Sequence, residues 1–519
     1  MSNKKLSITS ANSRIARNSL FMSVRMVFVL GLTLYTTRVV LSILGIEDYG
    51  IYNVVCGFVS MFAFLNVSMS NGIQRFYNYE LGKNGVQGAN KVYNTSLLIQ
   101  LIITMIIVLL TESVGVWYLH NKMVIPENRM MSAEFILQFS ILSFVFVIMQ
   151  APYTAAVMAH EKMDFYAVIS VADAVLRFVI VFIVPYCYSD NLFIYGLLIS
   201  TISIFDFLVY FIYCKKHFEE IRLVRSFDKE FFSSMVGFSG WNVFGSFAGI
   251  MREQGVNLIL NLFFGPVVNA ARAVAYQVNG GLQSFVTNIT IPVRPQVIQS
   301  YAVGDIDRTM KLTYTISKFS CFFLFVVSLP IILEIDYILK IWIGGNVPEH
   351  TAAFVVIVVI QSFFNNLNAA VSGVVHASGR MKLYQLSGCC VNLLTLPVAY
   401  ILLLFVPNAE LALSVVLFFT ILVQVVALFV MKTIVEYKFI DYLEIVILPI
   451  IEVVLIGSII PFVIHYNMPS SFARLLVVSS LSLIITVCVI YTVGCNQVEK
   501  AMIKKMAGSL TMKFRNKYE

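Results

Sequence analysis

Long apolar runs recur along the whole chain, each about as long as a membrane-crossing helix and separated from the next by a short polar stretch. A crossing takes about 20 mostly apolar residues, because the hydrocarbon core is roughly 30 Å thick and a helix rises ~1.5 Å per residue. Fourteen such runs are predicted, at 19–44, 50–72, 92–115, 132–156, 163–187, 191–214, 233–262, 268–298, 309–333, 351–375, 383–406, 410–431, 443–465 and 472–494. The pattern predicts an all-α polytopic membrane protein of about 14 transmembrane helices. The loops are short: the longest outer one lies around Trp117 to Met131, and the longest inner one runs from Lys215 to about Glu230.

Composition sharpens this reading. Of 519 residues, 59% are hydrophobic and 12% charged, against roughly 25% charged in an ordinary globular protein. Lys and Arg set the orientation, since positive loops stay in the cytoplasm. With the N-terminus inside, inner segments hold 26 of the 36 basic residues and outer loops hold four, Lys122, Arg129, Lys340 and Arg474. Both termini are therefore expected in the cytoplasm, and the basic leader with Lys4, Lys5, Arg14 and Arg17 has no cleavage site after it. The same asymmetry accounts for the net charge of +8 without nucleic acid, and a basic inner face suits anionic membrane lipids.

The missing motifs narrow the chemistry. The eight cysteines include no C-x-x-C pair, the six histidines no H-E-x-x-H, and the chain no Walker-type phosphate loop. No metal or other cofactor is expected. A membrane enzyme acting on a polar substrate needs an extramembrane domain to display its catalytic groups, and the short loops offer none, so the chain is read as not an enzyme.

An internal repeat defines the architecture. Leu44-Gly45, Gln74-Arg75 and Tyr93-Asn94-Thr95-Ser96 return some 220 residues later as Phe264-Gly265, Val293-Arg294-Pro295 and Tyr314-Thr315-Ile316-Ser317. The stretch from Ala159 to Tyr166 matches Ala377 to Tyr384 at the same offset. The expected organisation is a leader (1–18), a six-helix lobe (19–214), a linker (215–230), a second six-helix lobe (231–431), two appended helices (432–494) and a basic tail (495–519). Parallel repeats of this kind belong to transporters, with the substrate site between the halves.

The run from Arg38 to Tyr52, then Asn71-Gly72-Ile73-Gln74-Arg75, resembles the first-helix exit and second helix of Wzx-type polysaccharide flippases. These belong to the multidrug/oligosaccharidyl-lipid/polysaccharide exporter (MOP) superfamily. Phe264-Gly265-Pro266, Pro295-Gln296, Tyr301 to Asp305, Ala377 to Arg380 and Asn392-Leu393-Leu394 extend the likeness over roughly residues 15–430. The resemblance implies two pseudo-symmetric bundles in a V and alternating-access transport of a polyprenyl-pyrophosphate-linked oligosaccharide across a bacterial inner membrane. It implies a glycan polymerase or ligase as partner. Its motifs specify no substrate sugar.

Ten ionisable residues fall inside predicted helices: Arg25, Arg38, Arg177, Arg252, Arg272, Lys318, Asp173, Asp206, Glu253 and Glu452. Leaving all ten in lipid would cost on the order of 25 to 35 kcal/mol on the insertion scale, so most must pair, snorkel or face a wet cavity. Snorkelling is one reading for Arg38 and Lys318. Asp173 and Arg177, four apart, suit either an internal ion pair or, with Asp206 and Glu253, a coupling role. Polar stripes mark three helices. Helix 8 carries Arg272, Asn279, Gln283, Thr290 and Arg294; helix 7 carries Glu253, Asn257 and Asn261 beside Arg252; helix 10 carries Gln361, Asn365, Asn368 and Ser372. Such stripes either glue helices together or line a hydrophilic cavity. Cationic donors suit a pyrophosphate and amides suit sugar hydroxyls. Arg25, Arg252 and Arg272 are the expected pyrophosphate ligands; the resemblance places arginines on the first and eighth helices and offers no match for Arg252. Asn257, Asn279, Gln283, Asn365 and Asn368 are expected to line the rest of the cavity. Export of organic cations by a coupled multidrug transporter, relying on Asp173, Asp206 and Glu253, is the competing reading.

Overall fold

The computed structural model describes residues 2–501 except 161, 188–189, 225–227, 291–296, 298–299, 302–303, 345–346 and 379–380. The side chains of 2–27, 67, 71, 163, 238–239, 241–242, 244–245, 288–290, 376 and 381 are also outside the description.

Two glycines fold back what would otherwise be continuous rods. The helical run Ser2–Ser60 is broken at Gly45, whose φ of 81° and ψ of 171° a side chain would make costly. The run Ala63–Leu110 is broken at Gly85, with φ 60° and ψ −144°. Helices α1 (2–44), α2 (46–84, irregular at 61–62) and α3 (86–121) result. They are followed by α4 Met130–Ala159, α5 Met163–Ile183, α6 Asn191–His217, α7 Lys229–Phe264 and α8 Pro266–Thr290. Then come α9 Ile306–Leu333, a short helix Ile335–Ile343, α10 Thr351–Ser378, α11 Met381–Phe405, α12 Ala409–Lys432, α13 Phe439–Asn467 and α14 Phe472–Gly494.

Eleven helical runs among the described residues are long and apolar enough to cross a membrane. One of them, Ala63–Asn121, has 59 residues, about 90 Å as a single helix and some three times the hydrocarbon thickness, so the break at Gly85 divides it. With Phe28–Ser60 it supplies three crossings, α1 to α3. Helices α7 and α8 have the length and are not among the eleven; they carry the polar stripes. The total of fourteen helices agrees with the apolar pattern, and the chain is a multi-pass membrane protein.

The repeat is visible in the backbone. Gly265 joins α7 to α8 with φ 74° and ψ −173°, the conformation Gly45 adopts 220 residues earlier. Gly304, before α9, has φ 78° and follows Gly85 by 219 residues. The starts of α10, α11 and α12 follow those of α4, α5 and α6 by 221, 218 and 218 residues.

The helices form two compact units. One takes Met1–Gln277, Trp342–Phe354 and Gln385–Phe419; the other takes Val278–Ile341, Val355–Tyr384 and Thr420–Glu519. The first is cored by Ile73, Tyr77, Tyr93, Ile148, Tyr153 and Tyr210, with the Tyr93 and Tyr153 hydroxyls 3.1 Å apart. In the second, Tyr314, Cys321, Val371, Met431 and Tyr442 pack together, and Gln424 Nε2 donates to Tyr442 Oη at 3.3 Å.

The chain between α6 and α7 is bound along α3. Asn90 Nδ2 donates to the carbonyls of Glu220 (2.6 Å) and Arg222 (2.7 Å). Asn94 Nδ2 donates to the Arg222 carbonyl at 3.0 Å, and its Oδ1 accepts from the Val224 amide at 3.0 Å. Glu220 is buried; its Oε1 accepts from Tyr77 Oη and lies 2.6 Å from His160 Nε2. Lys91 pairs with Asp228 at 2.6 Å, and Asp228 caps α7 by accepting from the Phe231 amide. The Lys91 hydrogen bond, then that amide, hold the Asp228 carboxyl below the usual carboxylate range.

Candidate functional site

The α7–α8 hairpin is the best-built polar region. Gly265 makes the turn, and Pro266 opens α8 at the position where a missing N–H leaves no bond unmade. Three asparagines staple the two helices. Asn269 Nδ2 donates to the carbonyl (2.7 Å) and Oδ1 (2.8 Å) of Asn257, and Asn261 Nδ2 donates to Asn269 Oδ1 at 3.2 Å. Asn261 Oδ1 also accepts from the Val124 amide at 2.9 Å. All three are buried, so the helix-joining reading accounts for the lower part of the stripe on α7.

Deeper in the hairpin, Arg252 of α7 and Arg272 of α8 are 7% and 6% exposed. Arg272 Nη2 donates to the Glu253 carbonyl at 2.7 Å, and its guanidinium carbon lies 4.1 Å from the centre of the Tyr276 ring. Arg252 Nη1 donates to Asn392 Oδ1 of α11 at 2.8 Å. Tyr276 sits beside Arg272, Glu253 and Arg252 alike. Glycines let the helices come this close. A Cβ on Gly255 would lie 2.5 Å from Leu396 Cδ2 of α11, and one on Gly57 of α2 would lie 2.8 Å from Asn257 Nδ2. One residue beyond Tyr276, Gln277 fixes α8 against α1: Thr37 Oγ1 donates to its Oε1 at 2.6 Å, and its Nε2 donates to the Thr33 carbonyl at 3.1 Å. Trp342 Nε1 donates to the neighbouring Leu34 carbonyl at 2.7 Å.

A second polar group lies in α5 and α6. Arg177 Nε donates to Asp173 Oδ1 at 2.8 Å, the four-apart pairing the sequence predicts. Asp206 reaches the Asp173 carboxyl from α6, and its other oxygen is buried without a partner among the described residues. Arg177 lines a cavity of about 180 Å³ together with Tyr52, Ser60, Ser140, Ser143 and Ser203.

The amides of α8 and α10 form a third group, in the other unit. Asn279 Oδ1 accepts from Ser362 Oγ at 2.6 Å, and Asn368 Oδ1 accepts from Tyr384 Oη at 2.5 Å. Gln283 is half-buried with its carbonyl bonded to Thr287, and Asn365 is exposed. The structure thus brings together Arg252, Glu253, Arg272 and Asn257, and separately Asp173, Arg177 and Asp206. The side chains of Arg25 and Thr290, and all of Arg294, lie outside the described residues. Lys318 does not snorkel: 2% exposed, it meets Glu499 at 2.6 Å.

Sequence reasoning missed Tyr276, Asn392 and Asn269. Tyr276 had a signal, since an aromatic residue four after an arginine shares its helix face. Asn392 had none, because its partner is 140 residues away.

No family model matches the chain, and no curated protein matches it in sequence. Solved structures do match. The lipid II flippase MurJ, in an inward closed conformation, superposes with a TM-score of 0.69 at 14% identity, over 91% of this chain and 97% of that one. The chain has the fold of MOP superfamily proteins. An inward-facing MATE family multidrug resistance transporter of that superfamily gives a TM-score of 0.60 at 12% identity, over 78% of this chain and 94% of that one. A MOP superfamily transporter from Pyrococcus furiosus gives 0.54 at 10% identity, over 80% and 95%.

Proposed function

We propose that the chain is a flippase that carries a polyprenyl-pyrophosphate-linked oligosaccharide from the cytoplasmic to the outer leaflet by alternating access, for cell-surface polysaccharide assembly. One observation carries the reading. Arg272 is buried, its bonds go to a main-chain oxygen and an aromatic face, and no carboxylate of a described residue lies within ion-pair distance of it. A buried cation without a counter-ion is costly, so the arrangement fits a protein that receives its anion from outside. A pyrophosphate is such an anion, and the guanidinium fork matches its oxygens. Arg252 supplies a second cation beside it, and Arg25 joins them on the resemblance of the first helix. Asn279, Gln283, Asn365 and Asn368 are assigned to sugar hydroxyls, and Asp173, Arg177, Asp206 and Glu253 to coupling. Residues 19–214 and 231–431 are the two moving lobes, both termini face the cytoplasm of the bacterial cell across its inner membrane, and a glycan polymerase or ligase receives the product. The MurJ fold supports a lipid-linked substrate.

In proteoliposomes, a fluorescent polyprenyl-pyrophosphate-linked glycan should become accessible to a membrane-impermeant quencher only when the protein is present, and R272A should abolish this. Equal flipping by the wild type and R272A would refute the reading. Export of organic cations, the reading the MATE fold supports, would show as drug extrusion that depends on Asp206.

A further inference from the structure

Other buried or half-buried cations in this chain are given carboxylates. Arg129 meets Asp48 and Asp190, Arg177 meets Asp173, Arg474 meets Glu334, and Lys318 meets Glu499. The α7–α8 hairpin departs from that habit. The oxygen on Arg252 is the amide of Asn392, and the oxygen on Arg272 is the Glu253 main-chain carbonyl, not that residue's carboxylate. An amide oxygen and a carboxylate oxygen accept a guanidinium hydrogen in much the same geometry, but only the carboxylate cancels its charge.

We propose that Asn392 and Tyr276 are positioning residues that hold Arg252 and Arg272 in place while leaving their charge available to an anionic ligand, the phosphate-bearing headgroup of the substrate. The proposal rests on the flippase reading above. Arg252, Glu253 and Arg272 meet at Tyr276, and their formal charges sum to +1. A neutral side chain at 392 preserves that sum, and an acid there would bring it to zero. Tyr276 covers one face of the Arg272 guanidinium, which fixes its plane without occupying its donors. Packing sets the reach of Asn392. Gly255 and Leu396, one turn along their helices from Arg252 and Asn392, are the contact at which α7 and α11 come closest to overlap, and a side chain at 255 would push α11 away.

The test uses the full-length protein in nanodiscs and radiolabelled farnesyl pyrophosphate, a short isoprenyl pyrophosphate, as the equilibrium-binding probe. N392D keeps the shape and the acceptor, so a purely structural Asn392 predicts unchanged binding and an unchanged or higher melting temperature. The positioning role predicts an affinity loss of about tenfold or more at neutral pH, as the local charge falls to zero. That loss should reverse as the pH is lowered through the range in which the added carboxyl protonates. N392S, neutral and shorter, should stay within about threefold of wild type, and Y276F should bind better than Y276L. N392D binding as tightly as wild type, or N392S losing as much as N392D, overturns the proposal while leaving the flippase reading intact if R272A still abolishes binding. No saturable binding by the wild type, or R272A binding as the wild type does, brings down that reading and the proposal with it.

Discussion

Arg474→Met tests how strongly the last two helices are fastened. Glu334, at the end of α9, has no side-chain exposure; its Oε2 accepts from Nη2 and Nε of Arg474 at 2.9 and 3.2 Å, and its Oε1 lies 2.9 Å from His465 Nδ1. Arg474 stands in the first turn of α14 and His465 at the end of α13, so one carboxylate ties three helix ends. Removing the arginine strips both donors from Oε2 and leaves a carboxylate out of reach of water. Loss of one partner of a buried pair costs about 3–5 kcal/mol, whereas replacing both with apolar groups of similar size is close to neutral. Arg474→Met alone should therefore destabilise by that amount, and Glu334→Leu with Arg474→Met should return to within about 1–2 kcal/mol of wild type. Unfolding followed by circular dichroism in mixed detergent micelles, run as a double-mutant cycle, measures both. A single variant costing under about 1 kcal/mol, or a double variant as unstable as the single, would mean that solvent already reaches Glu334.

Two further outcomes follow from local geometry. Gly45→Ala meets no atom within 4 Å and Gly265→Ala only Val124 Cγ1 at 3.9 Å, so each should cost about 1–2 kcal/mol from its left-handed backbone alone. Gly50→Ala has an ordinary φ, but its Cβ would lie 1.9 Å from the Pro266 carbonyl oxygen, so it should lower the melting temperature more than either. The Asp228 carboxyl is held below its ordinary range, so its hold on the start of α7 is complete above the unfolded carboxyl's pKa of about 4 and is lost only as pH falls through the lower folded value. Exchange of the Phe231 amide, corrected for its intrinsic rate, should rise only in that acid range; a rise near neutrality, or an unchanged profile in Asp228→Asn, would contradict the assignment.

Much of the fold is written in local features. Apolar run length gives the helices, and glycine with an offset near 220 gives the matching turns at Gly45 and Gly265. The polar stripes are visible in the same way, but their use is not. Asn257 and Asn261 lie on one face with Glu253, as periodicity requires, yet Asn269 across the hairpin takes up their amides. Lys318 reads as a snorkelling residue because its acid, Glu499, is 181 residues further on and reaches it only through tertiary packing. The same distance in sequence hides Asn392 from Arg252. Helical periodicity reports which face a residue occupies; which helix covers that face depends on how glycines such as Gly255 let neighbours approach.

The segment bound along α3 has a consequence for how the chain can be divided. Its hold on the first six helices does not pass through the peptide bonds leading to α7: Asn90, Asn94, Tyr77 and His160 grip residues 220–224 by their own side chains and main chain. The covalent link is thus doubled by a non-covalent one. A fragment ending just after Val224 would keep its last residues docked, with Glu220 still buried among its partners, and need not expose a frayed end. Two half-length polypeptides made separately could therefore meet as finished surfaces, and the single chain is in this respect a convenience of synthesis, not a mechanical necessity.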